Sequence, residues 1–283
     1  MTIVAAIQMA SGPHVEANLL EAERLIAKAA KSGAQLIVLP ENFAQMSRES
    51  DKLTIREKPG DGPLQSFLSR QAARHQIWLV GGTIPLWGEA EDKVRAACLL
   101  FDAHGQLTAR YDKMHLFDVH IEESQESYRE SATIEPGYEP VVAETPFGRL
   151  GLTVCYDLRF PELFRALLDQ GMEILVLPAA FTAVTGKAHW EMLLRARAIE
   201  NQCYVIASAQ GGYHVTGRET HGHSMIIDPW GSVLACLAKG PGVVSAEVER
   251  ERMDSIRRSF PAIHHRHPAL HSEPRKIAGV TTP

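Results

Sequence analysis

The chain has 283 residues, of which 45% are hydrophobic and 22% charged, and its formal net charge is −5 at pH 7. This composition is typical of globular proteins and excludes disordered, collagen-like and coiled-coil chains. The chain has a slight excess of acidic residues, whereas nucleic-acid-binding proteins have an excess of basic ones. No apolar run approaches the roughly 20 residues that a membrane span needs. We therefore expect neither nucleic acid nor a membrane as a partner.

The first residues and the cysteines favour a cytoplasmic protein. No Lys or Arg precedes the first apolar stretch, and Gln8 interrupts that stretch, which is unlike a signal peptide. The cysteines stand in apolar surroundings at wide, irregular spacings, at Cys98, Cys155, Cys203 and Cys236. This pattern is neither a disulfide framework nor a zinc site, so we expect a reducing setting, no disulfide and no metal.

Strands and helices alternate along the chain. In chain order, hydrophobic periodicity predicts a strand at 3–9, a helix at 15–31, a strand at 35–39, a helix at 63–75, a strand at 77–84, a hairpin of strands 96–101 and 108–111, a strand at 150–155, a helix at 160–170, a strand at 174–177, a helix at 189–201, a strand at 204–208, a hairpin of strands 224–228 and 232–236, and a strand at 243–248. This alternation predicts a layered α/β fold with mixed sheets.

No linker divides the chain, so we expect a single domain over residues 1–252. Residues 253–283 are rich in Arg, His and Pro and are predicted to form an extended tail that packs at a dimer interface. The tail contains the sequence HHRHP at 264–268, but no carboxylate or cysteine completes a metal-ligand set there.

Two segments of the chain are similar in sequence. The sequence GAQLIVLPENF at 33–43 resembles GMEILVLPAAF at 171–181, and each is a strand followed by a proline and an aromatic residue. This internal similarity suggests that the chain consists of two related halves. Because Ala179 stands opposite Glu41, we expect that Glu41 is not needed to build the turn.

Cys155 stands between a predicted strand and a predicted helix. Pro161 suits the first position of that helix, and the carboxyl ends of strands are where open α/β sheets bind ligands. A helix N-terminus nearby would lower the pKa of the thiol. From local context alone, Cys155 is equally compatible with a nucleophile and with a buried apolar cysteine.

A thiol nucleophile needs a base at neutral pH. Histidine is the usual partner of such a thiol. Four histidines stand near the ends of predicted strands or helices, namely His115, His189, His221 and His223. Glu41 and Lys113 also lie just beyond strand ends, where a carboxylate could take the thiol proton and an ammonium could stabilise an oxyanion. The spacing alone leaves both pairings open.

Three sequence blocks resemble the motifs of the nitrilase superfamily, the carbon–nitrogen hydrolases. They are VLPENF, YDKMHLFD and GLTVCYDLRFPELFR, in that order along the chain. The resemblance implies a four-layer αββα sandwich and a catalytic triad of Glu41, Lys113 and Cys155. It also implies a second glutamate after the lysine, which we assign to Glu130 in SYRES, with Glu123 and Glu126 as neighbouring acidic alternatives.

Further segments resemble one branch of the superfamily. AFTAVTGKAHWEMLLRARAIENQCYV and GHSMIIDPWG are similar to the deaminated glutathione amidase branch. The resemblance implies an amidase that hydrolyses a terminal carboxamide of a 2-oxo acid to an acid and ammonia through a cysteine thioester. It implies no cofactor, and it implies a homodimer in which segments 160–170 and 189–201 form contacts.

The resemblance also implies roles for pocket residues. The backbone N–H of Tyr156 would help to hold the oxyanion. Arg159 is a candidate for binding the substrate carboxylate, although an ion pair with Asp157 would be a purely structural use of the same side chain. Phe181 and Thr185 would line the substrate pocket.

Other functions share many of these features. An ω-amidase acting on 2-oxoglutaramate or an N-carbamoyl amino acid hydrolase would use the same triad. A non-enzymatic scaffold with this fold would have no need for a buried charged pair.

Overall fold

The computed structural model describes residues 1–123 and 125–267. Its α-helices are α1 (Val15–Lys31), α2 (Pro63–His75), α3 (Pro161–Asp169), α4 (Ala183–Asn201) and α5 (Arg250–Ser259). Its strands are β1 (Thr2–Gln8), β2 (Leu36–Val38), β3 (Trp78–Val80), β4 (Ile84–Trp87), β5 (Val94–Phe101), β6 (Leu107–Asp112), β7 (Asp118–Ile121), β8 (Glu126–Arg129), β9 (Ile134–Glu135), β10 (Val141–Thr145), β11 (Gly148–Leu152), β12 (Ile174–Ala179), β13 (Tyr204–Ala209), β14 (Gly211–Tyr213), β15 (Glu219–His221), β16 (Ser224–Ile227), β17 (Val233–Leu237) and β18 (Gly242–Val248).

The strands form two large mixed sheets. The first has the order β18-β1-β2-β3-β5-β4, with β6 and β9 also paired to β5. The second has the order β10-β11-β12-β13-β16-β17. In both sheets three neighbouring strands are parallel, β1-β2-β3 and β11-β12-β13, and their flanking strands are antiparallel to them.

The alternation of side chains along β1 shows how the layers stack. Val4 and Ala6 belong to the core that also contains the second sheet, whereas Ala5 and Ile7 pack with the helices α1 and α2. The second sheet packs in turn against α3 and α4, through side chains such as Trp190. The layers are therefore helices, sheet, sheet and helices, which confirms the predicted αββα sandwich.

Most elements occur where the periodicity places them, and helices α1 and α2 have the predicted bounds. The predicted strand at 77–84 is interrupted, because Gly82 has a left-handed φ of 57° and separates β3 from β4. A Cβ on Gly82 would lie 2.0 Å from the carbonyl oxygen of Pro40, so this position requires glycine.

Two helices differ from the prediction. Helix α4 begins at Ala183, six residues before the predicted start, because Gly186 conceals the helical pattern. The predicted extended tail instead begins with helix α5, whose Met253 and Ile256 are buried. The part of that tail from residue 268 onward lies outside the described residues. No helix in the described ranges is long and apolar enough to cross a membrane.

Candidate active site

The turns after several strands converge on one cavity of about 620 Å³, its open mouth included. All eight residues predicted for the site line it, namely Glu41, Lys113, Glu130, Cys155, Tyr156, Arg159, Phe181 and Thr185. Their positions in the sequence span 145 residues, so the fold assembles this cavity from distant segments.

Glu41 is held by the turn that leaves β2. Asn42 adopts a left-handed φ of 55° and donates its N–H to the Thr83 hydroxyl at 2.9 Å. The amide of Gln210 donates to the carbonyl oxygen of Glu41 at 3.0 Å. The equivalent Ala179 remains in β12, paired with β13, so the two similar segments do not build the same turn. The comparison with Ala179 therefore does not show whether the Glu41 side chain is needed for its turn.

Lys113 follows β6 and lies between two carboxylates. Its Nζ donates to Glu41 Oε1 at 2.9 Å and to both oxygens of Glu130 at 2.8 Å. The side chain is only 1% exposed, and burial by itself would lower its pKa. The negative charges of Glu130 and Glu41 outweigh burial and hold the pKa of Lys113 well above its usual value, so the ammonium stays charged.

Glu130 opens a short helical turn and is the acidic residue that meets Lys113. It also accepts the backbone N–H of Phe117 at 2.7 Å. Burial works to raise the pKa of Glu130, but the charges of Lys113 and Lys52 lower it below the usual value. Of the two alternatives, Glu126 accepts a hydrogen bond from Tyr128, and Glu123 lines a neighbouring cavity. The geometry therefore favours Glu130 as the second glutamate.

Cys155 begins a short helical turn in a left-handed conformation, with φ of 48°. Such a backbone costs on the order of 1–3 kcal/mol and is common where a side chain must be aimed at a ligand. Its Sγ accepts the N–H of Ala180 at 3.5 Å. Tyr156 follows in the same turn, where the first N–H groups have no partner within the helix.

The sequence-based expectation that a helix N-terminus lowers the thiol pKa is wrong. Burial, and then the charge of Glu41, raise the pKa of Cys155 well above its usual value, although Lys113 opposes them. The local turn cannot compensate for the desolvation. The resting thiol is therefore protonated and needs a base when it reacts.

The histidines considered as partners have other contacts. Among the described residues, no histidine is hydrogen-bonded to Cys155. His115 bonds to Asp157 and stacks on Phe160, and His189 contacts Arg159. His221 and His223 stack on each other beside a separate cavity.

Asp157 is an important residue that the sequence did not reveal as such. Its buried carboxylate accepts hydrogen bonds from the Tyr111 hydroxyl at 2.7 Å, the Val154 N–H at 2.8 Å and the His115 N–H at 3.1 Å. It therefore joins the segment around Lys113 to the turn of Cys155. The proposed ion pair between Asp157 and Arg159 is not formed, and the Arg159 guanidinium lies 5.2 Å from the centre of the Phe181 ring.

Comparison with known proteins identifies the family. A family model described as carbon-nitrogen hydrolase matches residues 3–258. The chain belongs to the carbon–nitrogen hydrolase family.

Three similar proteins extend this result. A deaminated glutathione amidase of Synechocystis sp. is 47% identical, over 93% of this chain and 97% of that protein. The Caenorhabditis elegans NitFhit structure has a TM-score of 0.87 and 36% identity, and the match covers 96% of this chain and 66% of that one. An amidase from Nesterenkonia sp., solved as an E41Q mutant with acrylamide added to its active-site cysteine, has a TM-score of 0.77 and 26% identity over 92% of this chain and 98% of that one.

Besides Arg129 and Arg159, the cavity of this carbon–nitrogen hydrolase is lined by a further arginine that the sequence did not indicate. Arg218 precedes β15 and donates to the carbonyl oxygen of Ala180. Its guanidinium lies 5.0 Å from the centre of the Tyr128 ring. Within the described ranges, no group of three His, Cys, Asp or Glu side chains is arranged to hold a metal ion.

Proposed function

We propose that this carbon–nitrogen hydrolase is an amidase acting on deaminated glutathione, in which a 2-oxo group replaces the amino group of glutathione. The observation that carries the proposal is the buried ammonium of Lys113, held between Glu41 and Glu130 in the cavity that also contains the Cys155 thiol. The identity of 47% to an amidase of that name supports the choice of substrate.

The first half of the reaction uses Glu41, Lys113 and Cys155. Glu41 takes the thiol proton as Cys155 Sγ attacks the amide carbonyl carbon. The oxyanion that forms is stabilised by the Lys113 ammonium and the backbone N–H of Tyr156. Protonated Glu41 then gives its proton to the leaving nitrogen, the carbon–nitrogen bond breaks, and a thioester remains on Cys155.

The second half uses the same groups. Glu41 takes a proton from a water molecule as its oxygen attacks the thioester carbon. The carbon–sulfur bond breaks, the thiolate regains its proton from Glu41, and the acid leaves. Glu130 touches Lys113 but not Cys155 in the hydrogen-bond network, so its proposed role is to orient the ammonium.

The leaving group depends on the amide. Glutathione contains secondary amides, so hydrolysis beside the 2-oxo acid of its deaminated form releases 2-oxoglutarate and the amine of cysteinylglycine. Ammonia leaves only from a primary amide such as 2-oxoglutaramate. The same cysteine chemistry serves both, because Glu41 protonates either nitrogen.

The 2-oxo group gives a physical reason for discrimination. It is uncharged, whereas glutathione has an ammonium at that position. An ammonium buried at that position without a partner would be desolvated, which costs several kcal/mol. Glutathione should therefore be a far poorer substrate than its deaminated form.

The test is kcat/KM for deaminated glutathione, glutathione, 2-oxoglutaramate, an N-carbamoyl amino acid and a nitrile under identical conditions. The amine or ammonia that leaves is measured for every substrate, and 2-oxoglutarate is measured where the substrate contains it. The proposal expects deaminated glutathione to be favoured over glutathione by a factor of hundreds or more. Equal values would refute recognition of the keto group and favour a general amidase.

We further propose that the protein is a cytoplasmic homodimer. Helix α4 exposes Met192 and Ile199, which lie seven residues apart on one face. Ile199 packs beside Gly231, next to the exposed Trp230, whose ring contacts Phe260. Light scattering should give twice the chain mass, and Met192→Glu with Ile199→Glu should give the mass of one chain. A wild-type mass of one chain would refute the dimer.

A further inference from the structure

The cavity contains more positive charge than the proposed reaction uses. The positive charge of Lys113 is more than balanced by its two glutamates. Glu49, also in the cavity wall, is paired with Lys52 at 2.6 Å. In the part of the chain that the structure describes, neither Arg159 nor Arg218 has a carboxylate within 4 Å.

Arg218 is held beside the nucleophile with hydrogen-bonding capacity to spare. It donates to the carbonyl of Ala180, and the N–H of that residue is bonded to the Cys155 sulfur. The Nε of Arg218 is buried and has no hydrogen-bond partner among the described residues. A guanidinium has five N–H donors in a fork that matches a carboxylate, so an unused buried donor indicates a site for an anion.

The two arginines border different neighbouring cavities. Arg159 also borders a neighbouring cavity with Thr185 and His189. Arg218 borders another one with Ser47 and Thr216. A substrate that uses both arginines must therefore carry an anionic group at each end.

Deaminated glutathione has that form, because it carries one carboxylate on its 2-oxo acid and another on its glycine. We propose that Arg218 binds the glycine carboxylate of the leaving dipeptide and makes the enzyme prefer substrates with two carboxylates. This inference rests on the proposed function, and it leaves Arg159 to bind the carboxylate of the 2-oxo acid. Arg218 is then a specificity-determining residue, whose contribution depends on the length of the substrate.

The experiment measures kcat/KM of Arg218→Gln for three substrates. They are deaminated glutathione, the same molecule with its glycine carboxylate capped as an amide, and 2-oxoglutaramate, which lacks the dipeptide. For deaminated glutathione we expect a loss of about tenfold to a hundredfold, mainly through a higher KM. The other two substrates should be hydrolysed much as by the wild type, which also shows that the variant is folded.

Arg70→Gln is the matched control, because Arg70 is an exposed cation on α2 that does not line this cavity, and its loss changes the net charge equally. It should leave the ratio among the three substrates unchanged, and Arg218→Lys should recover part of the loss. An equal loss for all three substrates, or no loss for deaminated glutathione, would overturn the inference alone. A wild-type enzyme that hydrolyses no deaminated glutathione would overturn the inference and the proposed function together.

Discussion

The turns after β2 and β12 have the related sequences LPENF and LPAAF, yet they serve the cavity in different ways. The first leaves the sheet after Val38 and contributes a side chain, the Glu41 carboxylate. The second stays in the sheet through Ala179 and contributes backbone, since the Ala180 N–H bonds to the Cys155 sulfur and its carbonyl bonds to Arg218. The similar strands thus bring both segments to the same cavity. One or two residues after each strand determine whether the segment contributes a side chain or backbone groups there.

The largest expected effect comes from the nucleophile to which both turns lead. Cys155→Ala should abolish turnover, because covalent catalysis requires the sulfur. The free energy of unfolding should fall by no more than about 1–2 kcal/mol, as for other small buried deletions. Release of 2-oxoglutarate and urea denaturation measure the two effects. Cys203→Ala, outside the cavity, is the control that should keep activity, and substantial turnover by Cys155→Ala would place the nucleophile elsewhere.

Removing the side chain supplied by the first turn should have the next largest effect. Glu41→Gln keeps the shape of Glu41 but cannot accept a proton, so kcat should fall at least about a hundredfold. Lys113→Ala should cause a similar loss by removing oxyanion stabilisation, and it should also destabilise the fold by leaving two carboxylates unpaired.

These residues are proposed to act as one unit. Combining Glu41→Gln with Lys113→Ala should therefore cost much less than the product of the two single losses. Steady-state rates of the two single variants and the double variant test this expectation. Penalties that simply multiply would contradict the triad.

The second turn should be sensitive to its backbone and insensitive to its side chain. Ala180→Pro removes the N–H that bonds to the Cys155 sulfur, and we expect about a tenfold loss of kcat. Ala180→Gly retains the N–H and should remain close to wild type. Circular dichroism shows whether the proline variant folds. Equal activities of two folded variants would mean that this N–H has no part in catalysis.

The smallest effect concerns stability at acid pH. The pKa of Glu130 is lower in the folded protein than in the unfolded chain. The charged carboxylate therefore adds to the free energy of unfolding at pH values above the usual carboxyl pKa of about 4.3. This stabilisation is lost as the pH falls through the pKa that Glu130 has in the folded protein. Melting temperatures measured from pH 6 to pH 3 should fall less steeply for Glu130→Gln than for the wild type. Parallel curves would show that Glu130 does not titrate in this way.

Local sequence was sufficient to predict much of this protein. Helices α1 and α2 have strong amphipathic patterns, and the motif residues at strand ends all line one cavity. Arg218 could not be found in this way, because it stands between two three-residue strands that have no clear periodicity. The thiol pKa and the hydrogen bonds from Tyr111 and His115 to Asp157 could not be predicted either, because they depend on groups that are distant in sequence and meet only in the folded protein.

The most direct test of the account is to observe the thioester. Glu41→Gln removes the carboxylate charge that raises the pKa of Cys155 and leaves the opposing charge of Lys113, so at alkaline pH the buffer can take the thiol proton. An activated ester of 2-oxoglutarate then acylates the thiolate without protonation of its leaving group, and the variant lacks the base that activates water. Mixing this variant with the ester, quenching in acid and measuring the intact and peptide masses should reveal one 2-oxoglutaryl group on Cys155. No such group should appear when Cys155→Ala is added to the same variant. Hydrolysis of the ester without an adduct, or an adduct on a different cysteine, would contradict covalent catalysis at Cys155 with Glu41 as the base.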